Sequence, residues 1–272
     1  MKKFIFPNGV HVMKCFPLLL LLCYSSITSG QSINAIENDL LQTLQRLQQW
    51  GYPHTEEQKG DSLTILNTLF EKKLLHYAAK NPATLSAAFK RLREQHLDIV
   101  TSKDQQLRVY SWDDESGGTM RFFRNVYQYK SNGKLFAVSL RKKDKPLDAG
   151  AACIGLHRIV HKEKTYYLGV YQSIYSGMVN YARIQAFEIT NDRLNEHVKL
   201  IKTKTGLKNK LGFSYNFFSV VERKERPIIL INVDTAAQTI SIPVVSPDGV
   251  VTDKQIRYQL KEDYFERIVK GK

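Results

Sequence analysis

The chain has 272 residues, with 40 Lys and Arg against 26 Asp and Glu, a formal net charge of +14 at neutral pH. Its only cysteines are Cys15, Cys23 and Cys153, too few for a disulfide-dense scaffold, so the fold must rest on a hydrophobic core. This length supplies such a core in one or two domains.

Lys2, Lys3 and Lys14 precede an apolar run at Leu18–Leu22, extended by Phe16, Pro17, Cys23 and Tyr24, and no acid occurs before Glu37. Ser25, Ser26, Thr28, Ser29 and Gly30 follow. A basic start, a short apolar centre and a small-residue exit make a secretory signal peptide. The run is about half of the roughly 20 apolar residues that a membrane-spanning helix requires, so no transmembrane anchor is expected. Cleavage after Gly30 sets Thr28 and Gly30 in the two pocket positions and leaves Gln31 as the mature N-terminus. Met13 opens a leader of ordinary proportions and is the expected start. Leu22, before Cys23, is bulky where lipoprotein signals carry a small residue, so lipidation at Cys23 is the lesser alternative. The expected location is periplasmic or extracellular.

Cys15 and Cys23 leave with the leader, and so do three lysines, which leaves 37 basic against 26 acidic residues and a net charge of +11. A basic exported chain is drawn to an anionic glycan, a lipid surface or an envelope protein. Export argues against nucleic acid as partner. Only Arg141-Lys142-Lys143 and the stretch from Lys199 to Lys210 are locally dense, and solvated loops account for them.

Residues 31–96 carry apolar side chains at helical spacing. Ile36, Leu40, Leu44 and Leu47 form one stripe, with Leu41 beside it, closed by Gly51 and Pro53. Asp61 or Ser62 is positioned to cap a second helix with Ile65, Leu66, Leu69, Phe70, Leu74 and Tyr77 inward. Asn81-Pro82 pairs an N-cap with a proline at the first helical position and opens a third helix with Leu85, Phe89 and Leu92 inward.

Across residues 97–272 the period changes to two. Tyr166, Leu168 and Val170 form one row, Ile240, Ile242 and Val244 another, Ile256, Tyr258 and Leu260 a third. Asn132-Gly133 is a hairpin signal, and Asn191-Asp192 and Pro247-Asp248-Gly249 mark further turns. About a dozen short strands fit this spacing. The expectation is an α+β protein, a short helical segment packed on a large antiparallel β domain, as a sandwich or barrel with a small propeller as the alternative.

The most distinctive segment runs from Ser111 to Met120. Trp112, Asp113, Asp114, Glu115, Gly117 and Gly118 make it the candidate ligand-binding loop, since clustered carboxylates suit a hard cation. Adjacent carboxylates in extended chain point apart, however, so an acidic turn with Gly117-Gly118 at positive φ is the stronger reading. The run Ser102-Lys103-Asp104-Gln105-Gln106-Leu107-Arg108-Val109-Tyr110-Ser111-Trp112-Asp113, followed by Ser116-Gly117-Gly118-Thr119-Met120, resembles a segment of uncharacterised secreted proteins of Bacteroidota-type bacteria. That resemblance implies export and a bacterial source, and brings no activity with it.

Other motifs fail on geometry. Cys153, His157 and His161 stand four apart in a strand-like stretch, about 13 Å between neighbours at roughly 3.3 Å per residue, too far to share zinc at about 2 Å. That setting makes Cys153 a small buried side chain and not a reactive thiol. Ser131-Asn132-Gly133-Lys134 and Lys204-Thr205-Gly206 match penicillin-recognising patterns, but the first sits in a hairpin where the enzymes need a helix. No metal site and no cofactor are expected. Glu188, Glu222, Asp234 and Asp263 remain as acids that could pair in space. The aromatic rows, Phe213, Tyr215 and Phe217 among them, read as cross-strand packing. The expected function is a non-catalytic exported protein binding a glycan, peptide or envelope partner, with a secreted hydrolase as the alternative.

Overall fold

The structure, a computed structural model, describes residues 31–51, 56–140 and 149–268. The expected leader, Pro53 and the Arg141-Lys142-Lys143 cluster lie outside the described residues. Helix α1 (Ile33–Gly51) buries Ile36, Leu40, Leu41, Leu44 and Leu47, and Ser32 Oγ caps it by accepting from Ala35 N–H at 3.2 Å. Helix α2 (Glu56–Lys80) starts before the expected caps Asp61 and Ser62. Its inward stripe is Leu63, Leu66, Phe70, Leu74 and Ala78, while Ile65 is 65% exposed and Leu69 36%. The phase differs because Asn67 is buried on that stripe, its amide fully engaged.

The expected third helix is broken in two. Asn81 Oδ1 accepts from Ala83 N–H at 3.0 Å, yet only a 3-10 turn, Pro82–Leu85, follows. Arg108 donates to Thr84 O and Ala87 O at 2.5 and 2.8 Å. The carbonyls that would continue the helix are thus occupied, and Phe89 turns the chain at φ 46. Helix α3 (Lys90–Glu94) then begins, its first turn capped from α1 by Glu37 Oε1, which accepts from Arg91 N–H at 3.0 Å. Leu85, Phe89 and Leu92 are buried.

Fifteen strands follow among the described residues: β1 (Asp98–Thr101), β2 (Leu107–Asp113), β3 (Phe123–Ser131), β4 (Lys134–Val138), β5 (Ala152–His161), β6 (Lys164–Ile174), β7 (Val179–Thr190), β8 (Arg193–Asn195), β9 (Ile201–Thr203), β10 (Gly206–Lys208), β11 (Lys210–Asn216), β12 (Asn232–Asp234), β13 (Thr239–Val245), β14 (Val251–Lys261) and β15 (Tyr264–Arg267). They form three open sheets. The first runs β1-β2-β3-β4; the second runs β11-β7-β6-β5, with β8 also on β7; the third runs β10-β9-β15-β14-β13-β12. Every pairing is antiparallel except β15 with β9.

The sheets stack as a sandwich of three, with the helices as a fourth layer. Ile99, Tyr110, Trp112 and Val126 of the first sheet pack against the helices. Leu107, Val109, Tyr127 and Tyr129, on its other face, meet Cys153, Tyr167, Tyr171 and Phe187 of the second sheet. The far side of the second sheet, with Leu168, Val170, Ala182 and Ile184, meets Ile240, Ile242, Tyr258 and Phe265 of the third. Strands β2 and β6 are therefore buried on both faces. Residues 31–272 form one compact unit. No helix among the described residues is long and apolar enough to cross a membrane.

Asn132 and Gly133, at φ 48 and 75, close the β3–β4 hairpin, and Asn191 and Asp192, at φ 50 and 59, do the same for β7–β8. Lys162 and Glu163 take up the same doubly positive geometry between β5 and β6 without an Asn or Gly to signal it. The expected inward row Ile240, Ile242 and Val244 is cut short, because a bulge between Pro243 and Val245 shifts the register and brings Val245 to the core.

Candidate functional site

The acidic loop after β2 is a joint between layers. Trp112 is buried against Phe70, ring centroids 5.1 Å apart, and its Nε1–H donates to Asn67 Oδ1 at 3.0 Å. Asn67 Nδ2 in turn donates to Asp114 O at 2.8 Å. Asp114 is buried, its Oδ1 accepting from Ser116 N–H at 3.1 Å and its Oδ2 from Arg124 Nε at 3.2 Å. Arg124 also reaches Glu71 of α2 at 3.4 Å. Asp113 Oδ1 accepts from Glu115 N–H at 3.0 Å, and its Oδ2 pairs with Arg121 at 3.3 Å. Burial raises the Asp113 carboxyl above its ordinary value, against the pull of Glu115 N–H and Arg121. Arg121 lies 3.8 Å from Glu115, whose side chain packs on Gly51, where a Cβ would stand 2.6 Å from Oε2.

Positive φ in this loop belongs to Glu115, at 59, and not to the two glycines. Gly117 is needed for space: a Cβ there would stand 2.0 Å from Met120 O, whereas a Cβ on Gly118 meets nothing within 4 Å. The six residues of the candidate loop thus come together, but their polar atoms are turned toward one another and toward α2. No group of three or more metal-ligating side chains occurs among the described residues.

Remaining sequence candidates disperse. Cys153 is buried, and burial pushes its thiol up to about 12. Cys153, His157 and His161 all lie on β5, a strand as expected. Ser131 and Lys134 flank the β3–β4 turn in the first sheet, while Lys204-Thr205-Gly206 forms the β9–β10 turn in the third. Asp234 Oδ1 accepts from Ala236 and Ala237 N–H, and Asp263 pairs with Lys162 at 2.9 Å.

A second region has open chemistry. Along β7, Ala182, Ile184 and Ala186 face the third sheet, which leaves Tyr181, Arg183, Gln185 and Phe187 on the other face. Arg183 stands opposite Tyr171 of β6 and Gly212 of β11. Its guanidinium lies over the Tyr171 ring, 4.9 Å from the centroid. Its Nε is buried with no hydrogen-bond partner. Tyr181 stacks on Tyr175, centroids 6.0 Å apart at 29°.

Four connections meet at this end of the second sheet, those after β2, β6, β11 and β13. Phe217 N–H donates to Met178 O at 2.7 Å, Asn216 N–H to Gly249 O at 2.8 Å, and Arg121 N–H to Ile174 O at 3.0 Å. There Phe218 is 63% exposed, Met178 50% and Tyr175 38%. The alternation of Tyr181-Ala182-Arg183-Ile184-Gln185-Ala186-Phe187 marks a strand with two occupied faces. Nothing local in it reveals that Arg183 has no acid partner among the described residues.

An α+β chain of helices on stacked open sheets is the class these features define. No protein-family model matches the chain, and no curated protein or solved structure does either.

Proposed function

We propose that the chain is exported, loses residues 1–30, and acts as a non-catalytic envelope or secreted protein. It binds a glycan, peptide or envelope partner through the open end of its second sheet. The observation that carries this reading is the exposure of Tyr175 and Met178 on the β6–β7 turn and of Phe218 on the turn after β11 that is hydrogen-bonded to it, since grouped exposed apolar side chains mark interaction sites. The Asp113 and Asp114 carboxylates are taken up by Arg121, Arg124 and N–H groups of the loop itself, which weighs against using them as catalytic carboxylates.

Two measurements test the proposal. Cell fractionation with intact-mass analysis is expected to find the protein outside the cytosol, beginning at Gln31. The purified protein is expected to bind isolated envelopes of the source cell saturably, and Met178→Ser with Phe218→Ser to weaken that binding at least tenfold. An uncleaved cytosolic chain, or envelope binding indifferent to these substitutions, would overturn it.

A further inference from the structure

The second sheet carries a row across four strands: Cys153, Tyr171, Arg183 and Gly212, directly opposite one another. Its inner half is closed, with Cys153 and Tyr171 buried. Its outer half is open: Arg183 and Tyr181 are half-buried, and Lys210 and Ser214 of β11 are exposed. At Gly212 no side chain stands beyond Arg183. A Cβ there would lie 2.4 Å from Tyr181 Oη, so the Tyr181 ring leans across that place. The flanking same-face residues are Gln185 with Lys210, and Ser173 with Tyr181 and Ser214. None is an acid. Glu196, beyond Gln185, receives Gln185 Nε2 at 3.5 Å and lies 3.8 Å from His197.

A guanidinium stays charged at any physiological pH and offers five N–H donors in one plane. Contact with the Tyr171 face engages the cation from above. Nε–H is closed off from the surface without an acceptor, so the half-buried guanidinium presents its terminal nitrogens to a ligand. That edge of the fork matches the two oxygens of a carboxylate. Beside it, Tyr175 and Tyr181 present a nearly parallel pair of rings, apolar in body and wet at the rim, suited to the C–H face of a sugar ring.

We propose that Arg183, Tyr181 and Tyr175 form the subsite for a carboxylate-bearing sugar, so that the ligand class is an acidic, uronic-acid-type glycan. Arg183 takes the carboxylate, and the tyrosine pair takes the ring. This rests on the reading of the chain as an exported binding protein.

The test is calorimetric titration of the purified protein with a galacturonic acid oligomer, its methyl ester and an oligoglutamate peptide. The acid oligomer is expected to bind, with the ester and the peptide at least tenfold weaker. Arg183→Gln is expected to lose about 10- to 100-fold for the acid oligomer, the range for hydrogen bonds to a charged group, and to bind the ester as the parent does. Arg183→Lys, a point charge without the fork, is expected not to restore binding. Tyr175→Ala, an exposed position that keeps the test independent of folding, is expected to weaken acid and ester alike. Equal binding of acid and ester, unchanged binding by Arg183→Gln, or peptide binding as tight as the oligomer's would each overturn the inference. Envelope binding that survives Arg183→Gln and resists competition by the oligomer would remove this subsite and leave the broader reading standing. Loss of export or of envelope binding in the parent would remove the broader reading itself.

Discussion

Replacing Asn67 with Leu probes the joint between helices and first sheet. Leucine keeps the branching of asparagine but is bulkier, so no cavity opens and any overpacking adds to the loss. The change leaves Trp112 Nε1–H without its acceptor at 3.0 Å and Asp114 C=O without its donor at 2.8 Å, all three residues being buried. Each orphaned group costs about 1–3 kcal/mol. The added methyl groups return about 1 kcal/mol through apolar burial. The expected net loss is roughly 2–4 kcal/mol, or about 5–15 °C in thermal midpoint for a chain of this size. Thermal and urea unfolding followed by circular dichroism measure it. A cycle with Trp112→Phe separates causes: once the indole N–H is gone, Asn67→Leu orphans one group fewer, so the double variant is expected to fall short of additivity by about 1–2 kcal/mol. A single-variant loss below about 0.5 kcal/mol, or strict additivity, would refute the assignment of this network as a stabilising joint.

Three other outcomes follow from the same contacts. Gly117→Ala, whose Cβ would stand 2.0 Å from Met120 O, is expected to cost at least about 3 kcal/mol in urea unfolding, while Gly118→Ala, with open space, stays within about 0.5 kcal/mol. Glu163→Gly relieves a left-handed residue at φ 65 and is expected to raise stability by about 0.5–1 kcal/mol, read as a higher urea midpoint. The Cys153 thiol, held by burial up to about 12 against an ordinary 9, stays protonated when folded at pH values where the unfolded chain ionises. Its contribution is complete below about pH 9 and lost as pH rises toward 12, so the urea midpoint is expected to fall over that window and native Cys153 to resist thiol reagents until unfolding.

Helix α1 was legible because Ile36, Leu40, Leu44 and Leu47 admit one phase. Helix α2 was not, because Ile65-Leu66 and Leu69-Phe70 are adjacent apolar pairs, and the choice between them falls to the buried Asn67, whose partners lie 45 and 47 residues away. Turns carrying Asn or Gly were legible, whereas Lys162-Glu163 takes the same geometry under the pull of the paired strands. Alternation exposes one buried face, so a strand buried on both, such as β6, conceals the number of layers. The acidic loop was found as a segment but not as a joint, since Arg124, which pairs with Asp114, and Asn67, which bonds the Asp114 carbonyl and Trp112, lie on other elements. Arg183 was missed for the converse reason: its distinction is the lack of an acid partner among the described residues, and only the register of three strands shows it.

The layering sets an order of events in synthesis. The apolar stripes of α1 and α2 are covered in part by Tyr110, Trp112 and Val126, and these residues leave the ribosome later than the helices do. Until β2 and β3 are made, the early segment has no sheet to cover that part of its apolar face. On the proposed export, that delay would keep the helical segment, the first to emerge, from folding to completion before the sheets are made.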